Sequence, residues 1–267
     1  CSHVAHVASP LPTNAVRDPQ ELIGPARDGA IRALRAARDA GAKRFVMTSS
    51  AAAIAYGHPR GEYTFTEKDW TNLDHPDSYA YVQSKTIAER AARDWVAKEG
   101  GGLEYVSVNP SLVLGPVFSA DYSASVTVIQ RMLSGGFPGM PDLGFGVVDV
   151  RDVADLHVRA LDGEGLAGER FIASGPFLNL IEVATILKDR LGPEARKVKL
   201  RRLPDFLVKL TALFDPQVRQ VTGELGKVRH MDASHAKAVL DWATRPVEET
   251  IVDCARSLID QGIVKVG

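Results

Sequence analysis

Three apolar strands alternate with two helix-length segments in the first half of this chain, and this alternation constrains the fold more than any other feature. The predicted strands are Val4–Ala8, Lys43–Thr48 and Leu103–Val108, and the first is expected to be buried. The first helix begins near Pro19 and ends at Gly41, and the second covers Tyr79–Lys98. Strands joined by helical crossovers lie parallel, with helices on both faces of the sheet. The pattern therefore predicts an α/β fold built on a doubly wound parallel sheet.

A serine, a tyrosine and a lysine fall at chemically significant places in this pattern. Ser50 follows the second strand, and Tyr81 and Lys85 lie four residues apart on the second helix, hence on one face. An ammonium group beside a phenol favours the phenolate, so the pKa of Tyr81 is expected to fall toward neutral. Such a tyrosine can exchange a proton with a substrate oxygen, which Ser50 could also hydrogen-bond. This is the chemistry of carbonyl–alcohol interconversion beside a nicotinamide.

The order of these motifs along the chain, with others around them, resembles a known family. The chain is similar to extended short-chain dehydrogenase/reductases of the dihydroflavonol reductase and bacterial aldehyde reductase type, within the NAD-dependent epimerase/dehydratase superfamily. The likeness runs from residue 1 to about the last turn of the chain. The matching segments are His6–Pro10, Thr48–Ser50, Tyr81–Lys85 with Ala88–Glu89, Asn109–Pro116, Val148–Asp155 and Leu240–Trp242.

The resemblance implies a Rossmann-like cofactor-binding core and a smaller substrate-binding part. Residues 1–116 with 147–173 are expected to form the core. Residues 117–146 and 174–267 are expected to form a mostly helical domain across the carboxyl edge of the sheet, where ligands bind in such folds. The family's glycine-rich phosphate loop precedes the strand that holds His6, and no such motif occurs here. We therefore expect a fragment that lacks roughly 60–75 residues; the alternative is a complete chain that has lost cofactor binding.

By the same resemblance, Tyr81 is the general acid, Lys85 lowers its pKa and binds the nicotinamide ribose, and Ser50 orients the carbonyl. Ser50 is preferred to Ser49 because the family's catalytic serine directly precedes an alanine-rich stretch, here Ala51–Ala53. Tyr79 competes with Tyr81 but has a glutamine, not a lysine, four residues later.

The resemblance also implies residues that contact the cofactor. Pro110 to Val113 resembles the segment that grips the nicotinamide carboxamide, and the end of the first strand resembles the part beside the adenosine half. The full set is Val7, Ala8, Ser9, Thr48, Ser49, Tyr81, Lys85, Pro110, Leu112, Val113 and Ser125. The expected cofactor is NADP. NAD remains possible, because the residue that selects between them belongs to the segment expected to be absent.

Four residues are candidates for the substrate pocket: Ala52, Phe118, Met140 and Phe145. They indicate an apolar or aromatic substrate. The alternative is that the phenylalanines belong to the ordinary core.

Composition limits the remaining function classes. A net charge of -1 gives no attraction to nucleic acid or to a membrane surface, and no apolar run is long enough to span a bilayer. Cys1 and Cys254 have no metal or redox spacing, which favours a reduced cytoplasm. The histidines are scattered, so no metal centre is predicted. Asp152 is expected to cap a helix, and the basic run 196–202 is expected to be a solvated strand face. The oligomeric state, monomer or homodimer, stays open.

The sequence favours an NAD(P)H-dependent reductase of an aldehyde, ketone or dihydroflavonol-like carbonyl over two alternatives. Nucleotide-sugar dehydratases of the superfamily carry an acidic pair after the position of Ser50, where this chain has Ala51 and Ala52. Epimerases carry a motif that Ile54–Gly57 matches only with a shift. A non-catalytic regulatory protein on the same scaffold agrees with the missing glycine loop, but Ser50, Tyr81 and Lys85 argue against it.

Because the phosphate-cradling backbone donors are lacking, we expect the 267-residue chain to bind NADPH weakly or not at all. Fluorescence titration with NADPH checks this. A micromolar dissociation constant would contradict the expectation.

Overall fold

The computed structural model describes residues 1–10, 18–214, 218–219 and 222–265 of the chain. In chain order the described strands are β1 (His3–His6), β2 (Arg44–Thr48), β3 (Glu62–Phe65), β4 (Glu104–Pro110), β5 (Leu112–Leu114), β6 (Gly144–Asp149), β7 (Arg170–Ala173), β8 (Phe177–Asn179) and β9 (Val228–Met231). The described helices are α1 (Gln20–Asp39), α2 (Ala80–Glu99), α3 (Ala124–Ser134), α4 (Val150–Asp162), α5 (Leu180–Leu191), α6 (Asp205–Thr211), α7 (Ser234–Leu240) and α8 (Val247–Asp260).

A four-stranded parallel sheet in the order β1-β2-β4-β7 lies at the centre of the molecule. Phe45 in β2 pairs with Val4 on one side and with Tyr105 on the other. The sheet is parallel because a helix or a longer crossover returns the chain to the same edge before each new strand. The carboxyl ends of all four strands therefore face the same side of the molecule.

Helices cover both faces of this sheet. On one face α1 and α2 pack together over a cluster that includes Leu34, Phe45 and Trp95. On the other face α4 and α7 pack over a cluster that includes Leu156 and Phe171. Because both faces exclude water, the central strands are apolar without alternation, as parallel sheets usually are. This is the predicted α/β, Rossmann-like architecture.

The second half of the chain builds its own core around a small three-stranded sheet. In this sheet β5 pairs with β6 in parallel and β6 pairs with β8 in antiparallel. Helices α3, α5 and α8 contribute buried side chains to one cluster with these strands, among them Ile129, Leu187 and Ile251. As predicted, this part of the chain is mostly helical, and the described helices in it are α3 and α5 to α8.

The polar segment 57–78 contains a short strand, β3. In it, β3 pairs in parallel with β9, more than 160 positions along the chain. Isolated short strands of this kind depend on a partner that is remote in sequence, so local pattern does not reveal them. The pairing brings β9 to the edge of the main sheet's ligand-binding side.

The apolar residues of α1 recur at helical spacing and lie on its buried face. Leu22, Ile23, Ala26, Ala30, Leu34 and Ala37 are all buried. Gly41, with φ of +73°, follows the end of α1 in the left-handed conformation that glycine adopts without strain. The long apolar face is what holds α1 on the sheet.

The strand β1 is not buried, contrary to the prediction. His3 and Ala5 are exposed, and Val7 just beyond the strand is 65% exposed. The reason is position: β1 is the outermost strand of the described sheet and pairs with β2 alone.

Two polar assignments also require correction. Asp149, not Asp152, caps α4, because the helix begins at Val150 and the Asp149 carboxylate accepts from the backbone N–H of Arg151 at 2.8 Å. Asp152 instead accepts from the backbone and the guanidinium of Arg245.

The basic run 196–202 is not a strand face. It is irregular backbone with a single bridge from Arg202 to Met140, and Val198 is buried while Leu200 is 50% exposed.

Trp242 is a buried anchor in the segment after α7. The ring is 2% exposed, and its Nε1–H donates to the carbonyl of Asp152 at 2.8 Å. A buried indole N–H needs such a partner, so the contact fixes the segment after α7 against α4. No described helix has both the length and the apolar character needed to cross a membrane.

Candidate active site

A cavity of about 510 Å³ opens at the carboxyl ends of β1, β2 and β4. Helix α2 forms one wall, and α3, β6 and β9 contribute the opposite side. In open α/β sheets ligands bind in this crevice, since the loops that follow the strands diverge there. The cavity is therefore where a functional site is expected.

Ser50 is held in a defined orientation at the cavity. It follows β2 in extended conformation, and its Oγ accepts from the backbone N–H of Ala52 at 3.1 Å. Because consecutive extended residues point to opposite sides, the hydroxyl of the neighbouring Ser49 is buried and donates to Glu89. Only the Ser50 hydroxyl of this pair is directed into the cavity, which agrees with the choice of Ser50 made from sequence.

Tyr81 projects from the first turn of α2 toward Ser50. The Tyr81 hydroxyl donates toward Ser50 Oγ over 3.5 Å, the long limit of a hydrogen bond. Two hydroxyl oxygens at this separation can both reach a third oxygen placed between them. The pair is thus arranged to hold one substrate oxygen.

Lys85 lies one helical turn after Tyr81 and is 7% exposed. Its Nζ is 5.9 Å from the centre of the Tyr81 ring. Burial lowers the pKa of Lys85 from 10.5 to about 8, while the charge of Glu89 acts in the opposite direction. The side chain is therefore mostly protonated at neutral pH.

The prediction that the pKa of Tyr81 falls toward neutral is wrong for this structure. Burial raises the pKa of Tyr81 above 10.0, and the hydrogen bond with Ser50 opposes this rise only in part. Desolvation of the phenolate outweighs a lysine charge that lies beside the ring rather than at the hydroxyl. Tyr81 consequently keeps its proton at neutral pH.

Two further tyrosines extend the wall beyond Tyr81. The ring of Tyr79 stacks on that of Tyr81 at 6.5 Å between centroids, and Tyr56 meets Tyr79 edge-on at 6.3 Å. Burial raises the pKa of Tyr56 to about 12 and that of Tyr79 well above 10.0. The hydrogen bond with Ser50 opposes the rise in the pKa of Tyr81, whereas most neighbouring charges add to the rise for Tyr79, so Tyr79 is the weaker candidate acid.

Thr48 is oriented by a buried histidine. His157 Nδ1 lies 2.8 Å from the carbonyl of Val153, which can only accept, so this nitrogen carries the hydrogen. Burial lowers the pKa of His157, and the neutral ring leaves Nε2 as an acceptor. Thr48 Oγ1 therefore donates to Nε2 at 2.7 Å and turns its lone pairs toward the cavity.

Most residues assigned to the site from sequence meet at this one cavity. Its lining includes Val7, Ser9, Thr48, Ser49, Ser50, Ala52, Tyr81, Lys85, Pro110, Leu112, Val113, Ser125 and Phe145. Three assigned residues lie elsewhere. Ala8 is exposed outside the cavity, Phe118 is 92% exposed on the surface, and Met140 is 1% exposed within the core of the second half. Phe118 and Met140 therefore do not support the predicted substrate pocket.

The sequence analysis missed Arg229 and Met231, which line the cavity from β9. The Arg229 guanidinium lies 4.3 Å from the centre of the Tyr56 ring and pairs with the buried Glu224. The period-two pattern of residues 228–231 was the available signal, but it does not indicate which strand they pair with. Among the described residues no cluster of three or more potential metal ligands occurs.

The first two thirds of the chain match a known protein family. Residues 1–173 match the family model described as "NAD dependent epimerase/dehydratase family". Cinnamoyl-CoA reductase CAD2 of Medicago truncatula is 35% identical over 195 residues, which are 71% of this chain and 58% of that protein. Dihydroflavonol 4-reductase of Zea mays is 29% identical over 196 residues, 71% of this chain and 54% of that protein. The chain thus spans little more than half the length of each.

One solved structure resembles nearly the whole chain. The crystal structure of yeast methylglyoxal/isovaleraldehyde reductase Gre2 complexed with NADPH has a TM-score of 0.78 and 25% sequence identity. The match covers 98% of this chain and 78% of that protein.

The lowered pKa of Lys85 predicts how the free energy of unfolding changes with pH. The unfolded chain binds a proton at Lys85 up to about pH 10.5 and the folded chain only up to about pH 8, so stability rises with pH between these values. Relative to Lys85→Met, the parent should gain up to about 3 kcal/mol of unfolding free energy across this window.

Urea unfolding of both proteins at a series of pH values measures this difference. Lys98→Met is the control, because Lys98 is exposed on the same helix and its ammonium group stays in water on folding. A difference between parent and Lys85→Met that does not change with pH would contradict the burial argument.

Proposed function

The chain belongs to the NAD dependent epimerase/dehydratase family, and from this premise we propose that it acts as an extended short-chain dehydrogenase/reductase that reduces a carbonyl group to an alcohol. One observation carries the proposal: Ser50 Oγ and the Tyr81 hydroxyl are 3.5 Å apart at the mouth of a cavity lined also by Lys85. The names of the relatives, a cinnamoyl-CoA reductase, a dihydroflavonol reductase and an aldehyde reductase, support the same reaction class.

Tyr81 acts as the general acid. The raised pKa of Tyr81 keeps its hydroxyl protonated at neutral pH, which is the state an acid needs before it gives a proton to the carbonyl oxygen. Ser50 Oγ already accepts from Ala52 N–H and from Tyr81, so its own hydrogen is free to be donated. Ser50 therefore holds the carbonyl oxygen within reach of Tyr81.

Lys85 compensates the charge that forms when Tyr81 loses its proton. A buried phenolate is costly, and a buried cation one helical turn away lowers this cost. Because the pKa of Lys85 is about 8, this assistance fades as the pH rises above that value. Reduction should accordingly be favoured at neutral and lower pH.

The cavity fits the nicotinamide end of a dinucleotide. It lies beyond the carboxyl ends of three parallel strands, and the backbone of Pro110–Val113 and the side chains of Lys85 and Ser125 line it. When bound, such a cofactor supplies the hydride that reduces the carbonyl carbon. We propose NADP as the cofactor, with NAD possible, and Val7, Ser9, Thr48 and Ser49 as the residues on the strand side. NADPH in the yeast Gre2 structure supports this choice.

The cavity wall supports an apolar or aromatic carbonyl substrate, such as an aldehyde, a ketone or a dihydroflavonol-like compound. Apolar and aromatic side chains make up much of the cavity lining, among them Tyr56, Leu112, Val128, Phe145 and Met231. Ala52 keeps the space beside Ser50 open. No carboxylate lines the cavity in the part of the chain that the structure describes, which leaves the dehydratase alternative without an acid for its chemistry.

We further propose that residues 1–116 with 147–173 bind the cofactor and that 117–146 with 174–267 bind the substrate. We propose a cytoplasmic protein, monomer or homodimer, without nucleic-acid or membrane partners. The free thiols of Cys1 and Cys254 support a reducing compartment.

Replacing Tyr81 by Phe tests the proposal in the polypeptide that carries this sequence. Loss of the proton donor should reduce carbonyl turnover by about 10²–10⁴-fold without weakening NADPH binding. NADPH oxidation with a panel of aromatic and aliphatic carbonyls measures turnover, and fluorescence titration measures binding. Tyr63→Phe is the control, since Tyr63 lies outside the cavity lining. Parent-like turnover in Tyr81→Phe would refute the assignment.

A further inference from the structure

A fully buried carboxylate lies directly behind the residues of the candidate active site. Glu89 of α2 is 0% exposed and accepts four hydrogen bonds. Oε2 accepts from the Ser49 hydroxyl and from Asn109 Nδ2 at 2.7 Å. Oε1 accepts from the Ser107 hydroxyl at 3.1 Å and from Arg170 Nε at 2.6 Å. One side chain thereby joins α2 to residues of β4 and β7 and to the residue after β2.

Two of these contacts reach the backbone of Ser50. Ser49 directly precedes it, and the Asn109 amide that donates to Glu89 also donates to the Ser50 carbonyl at 3.2 Å. The peptide units on both sides of Ser50 are therefore tied to the same carboxylate. A shift of that carboxylate would move the Ser50 hydroxyl relative to Tyr81.

The same carboxylate faces Lys85. Glu89 follows Lys85 by one turn of α2, and its negative charge favours the ammonium form of Lys85. The other titratable groups around this lysine are Tyr81 on α2 and His6 on β1. Arg170 from β7 and Tyr105 from β4 are ionisable neighbours of Glu89. Glu89 is the only anion among these groups.

The contacts of Glu89 do more than satisfy its buried charge. Arg170 balances that charge, and it is itself held by the carbonyls of Glu67 and Asp69 and by the Trp70 ring. The two donors to Oε2, Ser49 and Asn109, are in addition attached to the backbone of Ser50, by the peptide bond and by a hydrogen bond respectively. These contacts are made at the strand ends that border the cavity.

We propose that Glu89 is a positioning residue, which acts through Ser49 and Asn109 on Ser50 and through its charge on Lys85. The proposal rests on the proposed reductase function, in which Ser50 and Lys85 serve the carbonyl oxygen and Tyr81. It adds a fourth residue to the site, one that contacts neither substrate nor cofactor. Its effect should appear in the titration of Lys85 and in turnover.

The first experiment needs no catalytic activity. Lysine labelled with ¹³C at Cε reports each ammonium titration by NMR, and Lys85→Arg identifies the Lys85 signal. In Glu89→Gln the Lys85 titration midpoint should fall below the parent value of about 8. An unchanged midpoint would overturn the proposed action on Lys85, whether or not the protein proves to be a reductase.

The second experiment separates positioning from folding. Glu89→Gln leaves the buried Arg170 without its partner, so the single variant loses stability as well as geometry. The double variant Glu89→Gln/Arg170→Met removes both charges and avoids an unpaired cation. The matched control is Glu104→Gln/Arg44→Met, which removes an ion pair between β4 and β2 at the other end of the same strands.

Turnover of a carbonyl that the parent reduces is then measured for the parent and the two double variants. The melting temperature of each protein is measured as well. The Glu89→Gln/Arg170→Met variant should lose about 10- to 100-fold in kcat with little change in KM, because Ser50 is misplaced after the substrate has bound. The pH above which its turnover falls should be lower than in the parent. The control should keep the parent's kcat. A folded double variant with parent-like kcat and pH profile would overturn the positioning role.

Discussion

The site depends on one negative charge that has no access to water. The Glu89 carboxylate lies between α2 and the central parallel strands, where an unpaired anion would be prohibitively costly. The chain satisfies it with an arginine from β7, with Ser107 and Asn109 from β4, and with Ser49, the residue after β2. The strand ends and the helix are therefore fixed relative to one another. The proposed catalytic groups project from these same two elements, so their spacing is set by the interior rather than by the cavity surface.

This arrangement explains how a partly buried tyrosine can serve as an acid. Burial alone keeps the Tyr81 proton in place and makes its phenolate unfavourable. Lys85 brings a compensating positive charge into the same region, although its own burial weakens that charge above about pH 8. The Glu89 carboxylate favours the charged form of Lys85 and so opposes this loss of charge. Along one face of α2, the Lys85 ammonium thus offsets the cost of a buried Tyr81 phenolate, and the Glu89 carboxylate offsets the cost of the buried ammonium.

The parts of the structure that depend on local pattern could be predicted from the sequence. The alternation of strands and helices fixed the parallel sheet, and the four-residue spacing placed Tyr81 beside Lys85. Features that depend on remote partners could not be predicted. The pairing of β3 with β9 brings Arg229 into the cavity, and the hydrophobic character of Met140 suits a core as well as a pocket. The pKa of Tyr81 was wrongly predicted because spacing shows a charged neighbour but not the extent of desolvation.

The central claim is that this site reduces a carbonyl rather than rearranging a sugar or binding a ligand without chemistry. The most direct measurement uses NADPH deuterated at the transferable position, with the polypeptide that carries this sequence and a carbonyl substrate, followed by mass spectrometry of the product. The account predicts one deuterium on the carbon that becomes the alcohol carbon, together with oxidised cofactor. An alcohol without deuterium, or a product rearranged with no net oxidation of the cofactor, would contradict it.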